Sequence, residues 1–348
     1  MQKPARRQRS ALTIHDVARY AGVSPMTVSR VINGEKNVRE STREAVNAAI
    51  RDLNYQPNPA ARSLAGADLI RIGLLYSNPS SAYLSEFLVG GLDQCSRSNI
   101  QLVVEKCDEE HAEDAAARLV NQGVDGIILP PPLCDAPEVL KTLAASHTPA
   151  VAVATGRPPA DVSAVRIDDF EAAHAMTRHL LGLGHRRIGF IKGHPNQTAS
   201  QQRLEGYLAG LEEASVASDP ALVVQGYFTY RSGLDGAEQL LALADPPTAI
   251  FASNDDMAAA TVAAAHRRGL DVPKDLTVVG YDDSALATTV WPELTTIRQP
   301  IADMSREAVT LLAEEIRSRR SGEKPQHPHA LQAFTLIRRQ SDGPPRKR

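Results

Sequence analysis

The hydrophobic period of the chain changes near residue 66. Before that point apolar residues recur three and four positions apart. Ile14, Val17, Ala18 and Ala21 form one stripe, Val28, Val31 and Ile32 a second, and Ala45, Val46, Ala49, Ile50 and Leu53 a third. Such stripes predict short amphipathic helices that pack on one another. The punctuation agrees. Thr13, with Asp16 three residues on, suits a helix start, and Gly22 a stop. Ser24 caps a second helix with Pro25 at its first position, and Asn33-Gly34 ends it. Ser41 with Glu44 reads as a capping box for the third helix. Two short helices about a glycine turn, closed by a third, predict a helix-turn-helix. Asn58-Pro59 starts one more short helix that ends at Gly66, about seven residues and too short to stand alone.

After residue 66 short apolar runs alternate with amphipathic stretches. Strands are predicted at 70–76, 101–105, 126–129, 150–153, 165–167, 187–191, 222–225, 249–252 and 276–279. Helices are predicted at 83–96, 109–122, 137–145, 171–182, 200–214, 233–243 and 256–268. This alternation predicts parallel sheets covered on both faces, with a ligand at the carboxyl ends of the strands.

Charge sharpens the division. Eleven Lys and Arg against five Asp and Glu give residues 1–66 a net charge of +6, and the overall −3 leaves −9 for the rest. A basic head on an acidic body fits a nucleic-acid-binding module fused to a globular domain. On the predicted second helix Ser24, Thr27, Ser29, Arg30 and Asn33 make a polar outer face suited to phosphates and base edges. Three cysteines, Cys95, Cys107 and Cys134, show neither paired nor metal-ligand spacing and read as packing residues of a reducing compartment. No apolar stretch follows the basic start, and none reaches the ~18 residues of a membrane span. A soluble, cytoplasmic protein is expected, with no metal and no cofactor.

The run from Thr13 to Asn33, TIHDVARYAGVSPMTVSRVIN, resembles the start of the lactose/galactose repressor (LacI/GalR) family. So do Asn54-Tyr55-Gln56-Pro57-Asn58 and the segment from Ala60 to Gly66, and the likeness extends to about residue 340. The resemblance implies an all-α helix-turn-helix DNA-binding domain and an α/β effector domain of the type I periplasmic-binding-protein fold with two subdomains. The expected divisions are a disordered start at 1–10, the DNA-binding domain at 11–57, a hinge helix at 58–66, the effector-binding and dimerisation domain at 67–340, and a disordered tail at 341–348. The expected subdomain crossings lie near Asp168, Arg298 and Lys324.

By position, the resemblance places Pro25, Met26 and Arg30 toward the major groove, where Arg30 suits a guanine edge. Pro25 and Met26 offer apolar contact alone, a departure from relatives with polar residues there. Ser24, Thr27, Ser29 and Asn33 fit phosphates. Asn58 caps the hinge helix, Leu64 is the minor-groove wedge and Ala61 packs beside it. In the effector domain the resemblance selects Tyr83, Asp168, Arg203, Phe228, Asn254 and Asp282 near predicted strand ends, with Trp291 as a further stacking candidate. Asp255 and Asp283 read as helix caps.

Carboxylates, an amide and a guanidinium match vicinal hydroxyls, and aromatic rings match the apolar face of a sugar. The expected function is a repressor, allosterically controlled by a sugar and bound as a homodimer to near-palindromic double-stranded operator DNA, with no membrane partner. A purine or nucleoside effector is the alternative. An enzyme is disfavoured because the chain lacks Gly-x-Gly-x-x-Gly, a P-loop and a Gly-x-Ser-x-Gly elbow. A periplasmic sugar receptor is disfavoured by the DNA-binding head.

Overall fold

The computed structural model describes residues 13–32, 38–53, 55 and 69–346. The chain divides into two units, residues 1–69 and 70–348.

In the first unit, helices α1 (Ile14–Ala21), α2 (Pro25–Ile32) and α3 (Glu40–Asp52) enclose a small core of Val17, Ala18, Val28, Val31, Val46, Ala49 and Tyr55. The Thr13 N–H donates to the Asp16 carboxylate at 2.9 Å, so the first cap forms as read. Gly22 adopts φ 66° and ends α1 in the left-handed region. The third cap differs from the reading. Helix α3 begins at Glu40, and the Arg39 carbonyl accepts from Thr42 and Arg43, so Ser41 lies inside the first turn.

The second unit has two lobes. In the first, strands β1 (Ile70–Tyr76), β2 (Ile100–Lys106), β3 (Gly126–Leu129), β4 (Ala150–Val153), β5 (Ser163–Arg166) and β11 (His329–Leu331) make a parallel sheet of order β11-β5-β4-β3-β1-β2. Helices α4 (Ser81–Arg97), α5 (Ala112–Asn121), α6 (Pro137–Ala145) and α12 (Ile301–Arg320) cover it. In the second lobe β6 (Ile188–Ile191), β7 (Val223–Val224), β8 (Ala249–Ala252) and β9 (Thr277–Val279) run parallel in the order β7-β6-β8-β9. This lobe carries helices α7 (Asp169–Gly182), α8 (Thr198–Glu213), α9 (Tyr230–Leu241), α10 (Asp255–Arg267) and α11 (Leu286–Thr289). Strands β3, β4, β6 and β8 are buried at every position, as expected of sheets sandwiched between helices.

The chain passes between the lobes at three places: between β5 and α7, between β10 (Thr296–Arg298) and α12, and between β11 and β12 (Thr335–Ile337), where β12 pairs antiparallel with β10. The first two fall near Asp168 and Arg298 as expected. The third lies at residues 332–334, beyond Lys324, because β11 first adds to the sheet of the first lobe.

The C-terminal segment also departs from expectation. Residues 341–346, expected to be disordered, are strapped to the second lobe. Val278 N–H donates to the Ser341 carbonyl at 2.9 Å, and the Ser341 hydroxyl donates back to the Val278 carbonyl at 2.6 Å. Buried Asp342 accepts from Arg338 and lies 2.9 Å from His179 Nε2. Strand β9 ends the sheet, and the tail shares its outer edge with Thr295, which bridges Val279 in parallel. The three cysteines are free and buried. Among the described residues no helix is long and apolar enough to cross a membrane.

Candidate functional site

Two surfaces carry the predicted chemistry. The first is the outer face of α2. Ser24 caps the helix: its Oγ accepts from the Thr27 N–H at 3.1 Å and lies 2.8 Å from the Thr27 hydroxyl. Val28 and Val31 point into the core, which turns Met26, Ser29 and Arg30 outward. Met26 is 63% exposed, unusual for a methionine. Pro25 and Ser29 are half-buried at the same end and flank of the helix. Asn33, Asn58, Ala61 and Leu64 lie outside the described residues.

The second surface is a narrow cleft between the lobes. It opens where strand order reverses in both sheets, between β1 and β3 and between β6 and β8, the place at which an open α/β sheet leaves a crevice at its strand ends. Five predicted residues converge there: Tyr83, Arg203, Phe228, Asn254 and Asp282. Tyr83 rides on α4, just past β1. Arg203 sits on α8 after β6, Phe228 follows β7, Asn254 follows β8, and Asp282 follows β9.

Arg203 is buried. Its Nε donates to Asp169 Oδ1 at 2.8 Å and its Nη1 to the Ser253 carbonyl at 2.6 Å. The guanidinium lies 3.7 Å from the centre of the Tyr281 ring, and the Tyr281 hydroxyl donates to the same Asp169 oxygen. Burial, against the pull of Arg203, pushes the Asp282 carboxyl well above the ordinary carboxylate range, and the nearby Asp255 adds to the shift. Asp282 Oδ1 accepts from Gln299 Nε2 at 2.6 Å. Two polar atoms at the cleft, the Tyr83 hydroxyl and Gln299 Oε1, are buried without a protein partner.

The backbone is strained at the same place. Ala154, Phe228 and Asp282 line the cleft with φ of 57°, 58° and 108°. Such conformations cost of order 1–3 kcal/mol each and gather where geometry serves a ligand. The tip of the Phe228 ring fills space that a Cβ on Gly193 would occupy, so a glycine there lets the ring stand at the cleft wall.

Two expected residues are elsewhere. Asp168 caps α7, accepting from the Glu171 N–H at 3.0 Å, and does not line the cleft. The next residue, Asp169, turns inward to Arg203, because the turn from strand to helix sends neighbouring side chains in opposite directions. Trp291 is 74% exposed on a separate depression beside Tyr230 and His266. Asn254 lines the cleft, but its amide is already used: Oδ1 caps α10 at Met257, and Nδ2 donates to the Phe228 carbonyl. Asp255 and Asp283 are not helix caps. Asp255 accepts from the Ser284 N–H and the Thr296 hydroxyl, and Asp283 pairs with Arg298 at 2.6 Å.

Residues 13–58 match the bacterial regulatory proteins of the lacI family, and residues 177–341 match a periplasmic binding protein-like domain. A transcriptional repressor named PurR from Haemophilus influenzae is 34% identical, over 89% of this chain and 93% of its own length. Catabolite control protein A of Priestia megaterium is 34% identical over 87% and 92%.

The chain belongs to the LacI family.

In solved structures, the lac repressor dimer bound to operator and the anti-inducer ONPF superposes with a TM-score of 0.80 at 29% identity, covering 95% of this chain and 99% of that one. The regulator CelR in complex with cellobiose gives 0.72 at 33% identity over 95% and 99%. This LacI-family chain is therefore an effector-regulated, DNA-binding transcriptional repressor and not an enzyme. Sequence reasoning missed Asn78, Ser80, Gln197 and Gln299 at its cleft. Their signal was weak but present: Ser80 stands three residues before Tyr83, and Gln299 lies at the second crossing.

Proposed function

We propose that this repressor takes a sugar in the cleft and that binding there resets the affinity of the head for operator DNA. Tyr83, Arg203, Phe228 and Asp282 are the contacting residues, with Gln299 and Gln197 added to them. The carrying observation is the pair of buried, unpartnered polar atoms, Tyr83 Oη and Gln299 Oε1, set beside two aromatic rings. Hydroxyl groups satisfy such atoms, and ring faces suit C–H faces of a pyranose. CelR bound to cellobiose and a LacI-family regulator of Enterococcus faecium with bound ribose support the reading.

At the head, Pro25, Met26 and Arg30 face the major groove while Ser24, Thr27 and Ser29 hold the backbone. Asn33 extends the phosphate set, and Asn58, Ala61 and Leu64 serve as the hinge helix. A homodimer supplies two heads to a near-palindromic operator, as the dimeric lac repressor neighbour suggests. Exposed Val89 and Leu92 on α4 offer apolar surface for that pairing. The cytoplasm, where operator DNA is reached, is the compartment.

The test uses a duplex selected from a random pool by the full chain, with fluorescence anisotropy as the readout. A sugar that binds must change duplex affinity, and the duplex must change sugar affinity by the same factor. Asp282→Ala should abolish that response and leave duplex binding intact. A retained response removes Asp282 from the effector site.

A further inference from the structure

We infer that the effector is an electrically neutral molecule, so that phosphorylated sugars, sugar acids and nucleotides are excluded from the cleft. The inference rests on the cleft being the effector site, as proposed above, and concerns the charge of what enters it.

Among the described residues that line the cleft, Arg203 is the sole cation. Its charge is already committed. The Arg203–Asp169 pair has side chains 5% and 1% exposed, and the Ser253 carbonyl and the Tyr281 ring take up more of the guanidinium. A buried pair of this kind has no surplus positive charge for a second anion. The other acid at the wall, Asp282, meets a ligand either as a carboxylate, which repels an anion, or as a neutral carboxyl, the form that its burial favours. Neither attracts negative charge.

Helix N-termini are the other route to anion binding, through free N–H groups and the helix dipole. Three of the helices that begin beside the cleft carry one of the chain's own side chains at that end, whereas α12, which starts just after Gln299, has no side-chain cap. Ser80 Oγ accepts from the Tyr83 N–H at the start of α4. The Asp135 carboxylate accepts from the Thr198 N–H at 2.8 Å at the start of α8. Asn254 Oδ1 accepts from the Met257 N–H at the start of α10. At these three helix starts the chain itself already takes an N–H that an anion would use.

Of the two atoms that stay open, the one at Gln299 is of opposite character. Gln299 Oε1 is 3% exposed as a residue and can only accept a hydrogen bond, and the Tyr83 hydroxyl also lacks a partner. An acceptor calls for a ligand O–H or N–H. A phosphate dianion set against it brings acceptors alone and cannot satisfy Gln299 Oε1.

The test is a thermal-shift and calorimetric panel on the full chain with matched twins: glucose, glucose 6-phosphate and glucuronate; ribose and ribose 5-phosphate; adenine and AMP; hypoxanthine and IMP. Inorganic phosphate at equal concentration corrects for anion binding elsewhere on the chain. At least one neutral member should raise the melting point by about 2 °C or more at saturation. Its charged twin should bind at least tenfold more weakly. A charged twin that binds as well as or better than its neutral partner overturns the inference and leaves the sugar reading standing. A neutral base that binds where every sugar fails overturns the sugar reading and supports neutrality. A panel in which no neutral member binds overturns both.

Discussion

The outer face of α2 and the wall of the cleft use polar residues in opposite ways. On α2 the outward residues Met26 and Arg30 are exposed, while a separate set, Val28 and Val31, holds the helix in place. At the cleft the residues offered to a ligand are also structural. Arg203 neutralises Asp169 and ties down Ser253, Asn254 caps α10, and Asp282 holds Gln299. Recognition of a long, charged, hydrated duplex needs an adaptable surface. Recognition of a small molecule removed from water needs each polar atom fixed beforehand. Substitutions on the first surface should therefore change function alone, and those on the second should change function and stability together.

The sharpest way to break that contrast is Arg203→Ala. It strands the Asp169 carboxylate in a site 1% exposed, with the Tyr281 hydroxyl, among the described residues, left as its donor. Removing one partner of a buried ion pair costs about 3–5 kcal/mol. Urea unfolding should show a loss of that size with the denaturant slope unchanged. Adding Asp169→Asn to Arg203→Ala should restore part of the stability and none of the effector response. A loss below about 1 kcal/mol means that the pair is not buried in solution.

Arg30→Ala is the counterpart on the head. Arg30 is exposed, so stability should change by no more than about 0.5 kcal/mol. Preference for the selected duplex over random DNA should fall by about 1–3 kcal/mol, the worth of a good arginine–guanine contact. Equal weakening toward both duplexes makes Arg30 a phosphate contact.

The same contrast governs what the sequence made legible. The helices of the head and most strands of the body were readable, because period, caps and fully apolar runs are local signals. Five cleft residues were found because the family resemblance selects them among the residues near predicted strand ends. Asp168 was mistaken for a cleft residue because its neighbour Asp169 carries the same side chain, and only the turn into α7 decides which one faces in. Trp291 was misplaced because an aromatic side chain says nothing of the side of the lobe on which it lies. The longest helix among the described residues, α12, escaped the reading although it carries Ile301, Met304, Ala308 and Leu312 at helical spacing. Nor was the strap at residues 341–346 legible: its Ser and Asp look like a polar tail until β9 presents its outer edge.

The smallest effect sharpens the comparison inside the cleft itself. Several bonds cross from lobe to lobe, among them that of the Ser80 hydroxyl, which donates to Asp256 Oδ2 at 2.7 Å, and those of Thr198, which donates through its N–H and hydroxyl to Asp135 and accepts from the Gly156 N–H. If the effector binds the closed arrangement that these bonds hold, breaking them lowers its affinity by favouring an open one. Ser80 also caps α4, so Ser80→Ala alone mixes two losses. A double-mutant cycle with Asp256→Ala separates them, because the cap does not involve Asp256. A neutral hydrogen-bond donor to a half-exposed acid is worth about 1 kcal/mol. The coupling term in effector affinity should therefore be near fivefold, with duplex affinity in the absence of effector altered less. A coupling of zero would mean that the lobes close without this bond.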